Sequence, residues 1–204
     1  MKIGIINYSL GNVGSVLSAF NFYKTDAKLV SQPSDIDQCD LVVLAGVGNF
    51  KTAVDRLKSS GFWERLNQAV TMEGKTLLGI CLGMQLFADL SFEGGSQPGF
   101  GWIKGKVIKI DDKSVRIPHM GWNKVQAFDN NIFQGMHQQY FYFMHSYHFV
   151  PEDKSVVVGT TKYGNTDIVA AVRHKNIIGV QFHPEKSQGD GLRLVRNLLE
   201  EIKC

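Results

Sequence analysis

The chain has 204 residues, of which 44% are apolar and 20% are charged, a composition typical of a folded globular protein and not of a disordered or fibrous one. The formal net charge is only +3, and the Lys and Arg residues are scattered, which argues against the dense basic surface of a nucleic-acid-binding protein. No apolar segment reaches the roughly 18 residues that a membrane-spanning helix needs, and the apolar start is too short for a signal peptide. We therefore expect a cytoplasmic protein, folded as a single domain over residues 1–204, without nucleic-acid or membrane partners.

The first half of the chain alternates short β-branched segments with longer amphipathic ones, which is the pattern of β-α-β units with a parallel sheet. Helices are predicted after the capping residue Asn12, around Leu57, and from Phe62 to Val70. Because the strands are apolar throughout, we expect helices on both faces of the sheet. The predicted strands are Lys2 to Ile6, Ala27 to Val30, Leu41 to Leu44 and Thr76 to Ile80.

A glycine-rich segment from Gly94 to Gly101 separates this half from a second one with strand-like patterns and turn residues between them. Some of these strands should be antiparallel, and a final helix should place Leu192, Val195, Leu199 and Ile202 on one buried face. The predicted fold class is therefore α/β with an added antiparallel region. The strands predicted in this half are Val107 to Ile110, Lys124 to Phe128, Tyr140 to Phe149, Ser155 to Thr161, Ile168 to Arg173 and Ile177 to Phe182.

The three cysteines lie far apart and form no Cys-x-x-Cys pair, which argues against a disulfide framework and against a structural zinc site. Cys39 precedes a predicted strand and Cys204 ends the chain, so we interpret both as structural or inert. Cys81 differs because it follows a buried strand directly and precedes a helix-forming segment. It is the candidate nucleophile.

The residues around Cys81 are typical of a nucleophile elbow. Gly79 and Gly83 stand two residues away on either side and allow the sharp strand-to-helix turn that lifts a nucleophile above a sheet. The start of a helix favours the thiolate, and the backbone N–H of Leu82 would point to a developing oxyanion. The alternative for Cys81 is a small buried hydrophobe between two packing glycines.

A histidine with the right neighbours follows the last predicted strand. His183, Pro184 and Glu185 come directly after it, and residues two apart on an extended strand point the same way. Glu185 could then hold one imidazole nitrogen of His183 while the other faces the thiol, the arrangement of a catalytic triad. Alone, this tripeptide would be read as a surface pair at a strand end.

A second glycine turn, Gly46-Val47-Gly48, follows the predicted strand at Leu41. The two glycines free the peptide plane of Val47, whose N–H could be the second oxyanion donor. Without the triad, an ordinary strand-to-helix loop would be the preferred interpretation.

Together these motifs resemble the class I (triad-type) glutamine amidotransferases. Within that family the sequence is similar to the glutaminase subunits of imidazole glycerol phosphate synthases over nearly the whole chain, and the Pro118 segment is the most discriminating part. The resemblance implies a flavodoxin-like three-layer fold with a mostly parallel central sheet. The matching segments are Gly46 to Gly48, Gly79 to Gln85, Pro118 to Asn123, Tyr142 to Tyr147 and Gln181 to Ser187.

The resemblance also implies the activity and the partner. The chain would hydrolyse glutamine to glutamate and ammonia through a thioester on Cys81, without a cofactor. The ammonia would pass to a (β/α)8-barrel synthase subunit in a heterodimer that makes imidazole glycerol phosphate and AICAR in histidine biosynthesis. The implied glutamine pocket consists of Gly48, Gln85, Glu93, Ser146 and Tyr147. The implied docking face and ammonia entry consist of Asn12, Pro118, His119, Met120, Trp122 and Lys186.

Other functions stay open at this point. The same glutaminase chemistry could supply a related barrel synthase that amidates a surface sugar. A Cys-dependent hydrolase acting on another ester or amide, and a non-catalytic regulatory subunit, are further alternatives. A metal enzyme is the weakest of them, because His145 and His148 lie three apart in a predicted strand and would face opposite sides, so we expect no metal site.

Overall fold

The computed structural model describes residues 1–128, 132–136 and 138–203, and its centre is an eight-stranded sheet. Cys204 lies outside the described residues. The helices are α1 (Val13–Asn21), α2 (Phe50–Ser59), α3 (Phe62–Thr71), α4 (Leu82–Gln85) and α5 (Gln188–Lys203). The strands are β1 (Lys2–Ile6), β2 (Asp26–Val30), β3 (Leu41–Gly46), β4 (Thr76–Cys81), β5 (Leu90–Ser91), β6 (Gln97–Pro98), β7 (Gly105–Lys109), β8 (His119–Lys124), β9 (Gln126–Ala127), β10 (Tyr140–His145), β11 (Tyr147–Pro151), β12 (Val157–Tyr163), β13 (Thr166–His174) and β14 (Ile177–Val180).

The central sheet has the strand order β2-β1-β3-β4-β14-β13-β12-β9. The first five strands in this order are parallel, and the last three are joined by antiparallel pairs. Two smaller sheets flank it, the pair β10-β8 and the four-stranded β11-β7-β5-β6. The prediction of a mostly parallel sheet with an antiparallel region from the second half is confirmed.

Helices cover both faces of the central sheet because alternate residues of each buried strand point to opposite sides. In β3, Val42 and Leu44 pack into the core that holds α2 and α3, whereas Val43 and Ala45 pack into the core that holds α1 and α5. The two cores explain why these strands carry no polar alternation. Asn12 caps α1 as predicted, and its side chain accepts from the backbone N–H of Ser15.

The prediction of one strand from Tyr140 to Phe149 is wrong. The inward-facing alternation slips at Ser146, so that β10 ends at His145 and pairs with β8, whereas β11 begins at Tyr147 and pairs with β7. The carbonyl of Ser146 accepts from the N–H of Ile110 at 2.9 Å and ties down the point where the chain changes sheets. This break places the segment around Ser146 at the edge of the candidate site.

Three other strand predictions need correction. The strand predicted at Lys124 to Phe128 is divided, because β8 ends at Lys124 and pairs with β10, whereas β9 spans Gln126–Ala127 and pairs with β12. The strand predicted from Ser155 opens as a 3-10 turn at Lys154–Val156. Strand β14 ends at Val180, and residues Pro184–Lys186 form a 3-10 turn, so Glu185 does not lie on an extended strand. No helix among the described residues is long and apolar enough to cross a membrane.

Candidate active site

The candidate site lies where β3, β4 and β14 end, since the carboxyl ends of parallel strands meet at one edge of a sheet. Cys81 is the last residue of β4, and its backbone has φ +55° and ψ −108°. A non-glycine residue with positive φ costs about 1–3 kcal/mol and is held only by its surroundings. A Cβ at Gly83 would overlap the carbonyl of Leu44, and one at Gly79 would overlap the ring of Phe87. The two glycines therefore serve close packing of the elbow, as the sequence predicts.

The helix that follows Cys81 is shorter than the sequence suggests. Helix α4 has four residues, a single turn, before the chain leaves helical geometry. Because so few peptide dipoles are aligned, the helix adds little to the stability of a thiolate. The charge on the sulfur must depend mainly on neighbouring side chains.

His183 and Glu185 form the buried pair that the sequence predicts, but by a different geometry. The 3-10 turn at Pro184–Lys186 folds Glu185 back, and His183 Nδ1 donates to Glu185 Oε1 at 2.8 Å. Both side chains are almost completely buried, at 2% and 3% exposure. The Nε2 atom of His183 has no hydrogen-bond partner among the described residues and is left for a reacting group.

The charges around His183 favour its protonated form. Burial lowers the pKa of His183, but the negative charge of Cys81 and the hydrogen bond and charge of Glu185 outweigh it, so the pKa lies above the usual value for histidine. His183 therefore carries the proton that a leaving group at this site would need.

A cavity of about 250 Å³ opens beside the Cys81 sulfur. Among the described residues, no three His, Cys, Asp or Glu side chains come close enough together to hold a metal ion. The cavity brings together both predicted oxyanion donors and all of the predicted glutamine-pocket residues. It is lined by Val47, Gly48, Cys81, Leu82, Gln85, Glu93, Pro118, Met144, His145, Ser146 and Tyr147.

Two of the pocket residues are held in place by backbone groups. Glu93 Oε2 accepts from the N–H of Phe50 at the start of α2, at 2.7 Å. The Nε2 atom of Gln85 donates to the carbonyl of Tyr147 at 2.7 Å and to Gln181 at 3.0 Å. The carboxylate and the amide are thus fixed before any ligand arrives.

Beside the cavity, the β8–β10 pair presents an apolar outer face, which consists of Met120, Trp122, Tyr140, Tyr142 and Met144. Four members of this face pair directly across the two strands, Met120 with Met144 and Trp122 with Tyr142, and Tyr140 lies opposite Lys124. Met120 is 57% exposed and Trp122 is 43% exposed.

Of the remaining predicted docking residues, Lys186 and Pro118 lie beside this outer face, whereas Asn12 caps α1. The ammonium of Lys186 lies 5.8 Å from the centre of the Tyr142 ring, and Pro118 joins the outer face to the cavity. His119 is not part of the surface. Its ring is fully buried between the rings of Phe143 and Tyr163.

Two polar residues near the sulfur received no role from the sequence. The Nε2 atom of Gln181, completely buried, lies 3.6 Å from Cys81 Sγ. The hydroxyl of Tyr8 is buried against Gly46 without a hydrogen-bond partner among the described residues, and burial is the main cause that raises the pKa of Tyr8. The position of Gln181 two residues before His183 is the one local signal that could have identified it.

The family model described as "Glutamine amidotransferase class-I" matches residues 5–202 of the chain. Imidazole glycerol phosphate synthase subunit HisH of Pelagibacter ubique is 42% identical over 98% of this chain and 99% of that protein. The subunit of the same name from Pyrococcus furiosus is 44% identical over 96% of this chain and 97% of its own length.

Solved structures resemble the fold at lower identity. A crystal structure of a glutamine amidotransferase is 19% identical, with a TM-score of 0.78 and complete coverage of both chains. The glutaminase domain of Trypanosoma brucei CTPS, solved with bound acivicin, is 16% identical, with a TM-score of 0.67, and the alignment covers 100% of this chain and 94% of that one. These two likenesses concern the fold alone.

Proposed function

The chain belongs to the class I glutamine amidotransferase family, and from this membership we propose that Cys81, His183 and Glu185 are its catalytic triad. It is a glutaminase that serves as the amidotransferase subunit of an imidazole glycerol phosphate synthase in histidine biosynthesis. The observation that carries the triad is geometric. Cys81 ends β4 beside the cavity with a strained backbone, and the buried His183–Glu185 pair, joined at 2.8 Å, follows β14, the strand next to β4.

In the first half-reaction, the Cys81 thiolate attacks the side-chain carbonyl carbon of glutamine, and the carbonyl electron pair moves to oxygen. The N–H groups of Leu82 and Val47 stabilise this oxyanion, and loss of one such donor typically costs about 10²–10³ in rate. The carbon–nitrogen bond then breaks as His183 Nε2 gives its proton to the leaving nitrogen. The products are ammonia and a glutamyl thioester on Cys81.

In the second half-reaction, neutral His183 takes a proton from water through Nε2, and the oxygen attacks the thioester. The sulfur leaves as thiolate, glutamate is released, and the ion pair of Cys81 and His183 is restored. Glu185 acts throughout by holding the proton on Nδ1, which keeps Nε2 directed at the reacting atoms.

The glutamine pocket consists of Gly48, Gln85, Glu93, Ser146 and Tyr147. Glu93 offers a carboxylate to the α-amino group, whereas backbone groups of Ser146 and Tyr147 hold the amino and carboxylate ends of the substrate. The support for this assignment is that all five residues line the cavity beside the sulfur. The cavity is of a suitable size for one amino acid.

The partner is a (β/α)8-barrel synthase subunit, and Asn12, Pro118, His119, Met120, Trp122 and Lys186 form or support the docking face. An exposed apolar face next to a reactive pocket is the usual mark of a protein contact. Met120 and Trp122 supply that face, and Pro118 stands between it and the cavity, where ammonia would leave. His119 supports the face from below.

The test is the rate of glutamate release by the isolated chain, by its complex with the histidine-pathway barrel subunit, and by the complex with the barrel's ligand bound. We expect a low rate alone and a large rise in the complex, because a free subunit would waste glutamine. High activity of the isolated chain that no partner changes would contradict the proposal. A Cys81→Ala chain as active as the parent would make the chain a non-catalytic regulatory subunit instead.

A further inference from the structure

A continuous hydrogen-bonded chain of side chains leads to the Cys81 sulfur. The Nε2 atom of Gln181 lies 3.6 Å from Cys81 Sγ, and its Oε1 accepts from Gln85 Nε2 at 3.0 Å. Gln181 and Gln85 are both buried. An amide has a donor end and an acceptor end, so the effect of this hydrogen-bond network on Cys81 depends on which end of Gln181 faces the sulfur.

The carbonyl of Tyr147 decides the orientation. A backbone carbonyl only accepts, so Gln85 must turn its Nε2 towards Tyr147, where the distance is 2.7 Å. The second N–H of that nitrogen then donates to Gln181, which must present Oε1 to it and Nε2 to Cys81. A flipped Gln181 would place two amide nitrogens against each other.

The Tyr147 carbonyl is itself held by a second donor. His145 Nδ1 donates to it at 2.9 Å, and His119 Nδ1 donates to His145 Nε2 at 3.0 Å. Both histidines are buried, and burial is the main cause that lowers their pKa values, to about 3 for His145 and about 4 for His119, so both stay neutral donors near neutral pH. The donor and the acceptor of every hydrogen bond in this network are therefore fixed by the protein itself.

The two protonation states of Cys81 use different neighbours. A neutral thiol can donate to the carbonyl of Met144, which lies 3.9 Å from the sulfur. A thiolate can only accept, and Gln181 Nε2 is the neutral donor directed at it. Hydrogen bonds to charged groups are stronger than those between neutral groups, so this contact favours the thiolate.

We propose that Gln181 is a built-in hydrogen-bond donor to the Cys81 thiolate, oriented by Gln85 and the Tyr147 carbonyl, and that it holds the nucleophile in its reactive ionisation state. This role rests on the proposed function of Cys81 as the nucleophile. It assigns Gln181 a contact with the reacting sulfur and gives Gln85 a positioning role in addition to substrate binding.

The pH dependence of Cys81 alkylation tests this role without glutaminase activity. The purified full chain is treated with iodoacetamide across a pH series, and mass spectrometry of the peptide that holds Cys81 gives the rate, so Cys39 and Cys204 do not interfere. The other titratable groups that face this region are His183, Glu185, Glu93, His145 and Tyr8, and all of them stay unchanged in every variant.

The variants are Gln181→Leu and Gln181→Glu, and Asn197→Leu is the matched control. Asn197 is also a buried amide, but its Nδ2 atom donates to the carbonyls of Ile132 and Gln134. We expect the alkylation midpoint to rise by about one pH unit in Gln181→Leu, the size expected for one hydrogen bond to a charged group. It should rise further in Gln181→Glu, because a carboxylate replaces the donor, and it should not move in Asn197→Leu.

Midpoints equal to the parent's in both Gln181 variants would overturn the proposal, even if their melting temperatures fall, because a purely structural role predicts that result. If Gln181→Leu does not fold, Gln181→Glu carries the test alone, since it keeps the size of the side chain. Failure of the proposed function would be visible separately, as glutamate release by a Cys81→Ala chain.

Discussion

The cavity around Cys81 and the outer face of the β8–β10 pair are neighbours, but their side chains have opposite exposure. Cys81, which lines the cavity, is buried, and so are the side chains of His183 and Glu185, which are hydrogen-bonded to each other. On the outer face, Met120 and Trp122 are largely exposed although both are apolar. From this difference we expect the groups around Cys81 to be in place in the isolated chain, and the outer face to be covered by a partner.

The largest expected effect concerns the cavity, where Cys81 can be replaced. Replacing Cys81 by Ala should lower glutamine hydrolysis by about 10⁴-fold or more, because the proposed thioester forms on its sulfur. The measurement is glutamate release in the presence of the barrel subunit. The matched control is Cys39→Ala, a buried cysteine outside the cavity, which should stay close to the parent.

The next effect concerns Glu185, which we propose orients His183. Glu185→Gln keeps the shape of the side chain but removes its charge. The hydrogen bond from His183 Nδ1 becomes weaker, and the pKa of His183 falls. We expect kcat to fall by about 10²–10⁴-fold, with a smaller change in KM. A variant that folds and retains the parent's kcat would remove Glu185 from the triad.

Substitutions in the outer face should weaken binding of the barrel subunit. Met120→Ala and Trp122→Ala should each weaken the affinity for the barrel subunit by roughly 10- to 100-fold, as expected for buried anchors at the centre of an interface. Titration calorimetry of the two subunits measures this. Met72→Ala is the control, because Met72 is 81% exposed but lies after α3, away from the outer face. Equal affinities for all of these variants would place the interface elsewhere.

The smallest expected effect lies between the two regions, at the buried histidines. Burial first, and then neighbouring histidine charge for His145, lowers the pKa of His119 to about 4 and that of His145 to about 3. Below about pH 6.5 these histidines bind protons in the unfolded chain but stay neutral in the folded chain. The free energy of unfolding therefore falls as the pH drops towards the pKa values of the folded state.

His119→Phe removes one of these groups and keeps the ring stacking, so its stability should fall less steeply from pH 6.5 to pH 4. The slope that one group contributes is at most about 1.4 kcal/mol per pH unit. Melting temperatures at several pH values measure it. A slope in His119→Phe equal to the parent's would contradict the lowered pKa of His119.

The sequence predicts the parallel half of the fold well, and it singles out Cys81, His183 and Glu185 as candidates, because both depend on local patterns. Strands such as β3 are apolar on two faces, and the elbow needs only Cys81 and its glycines. The contact between His183 and Glu185 was predicted for the wrong reason, since a 3-10 turn and not an extended strand brings them together.

The features that the sequence does not predict depend on contacts between distant segments. The change of sheet at Ser146 follows from separate pairing partners, β8 and β7, that lie far from it along the chain. The burial of His119 and the approach of Gln181 to the sulfur are likewise products of packing. A residue's type alone cannot reveal which neighbour satisfies its polar groups.

The most direct test of the central claim is to identify the residue that glutamine chemistry labels. The complex is treated with a glutamine analogue that carries an electrophilic carbon in place of the amide, and the modified peptide is sequenced by mass spectrometry. We predict one adduct, on Cys81, that accumulates in parallel with the loss of glutaminase activity and that excess glutamine slows. Complete modification of Cys81 with full activity retained, or inactivation with the label on another residue, would contradict it.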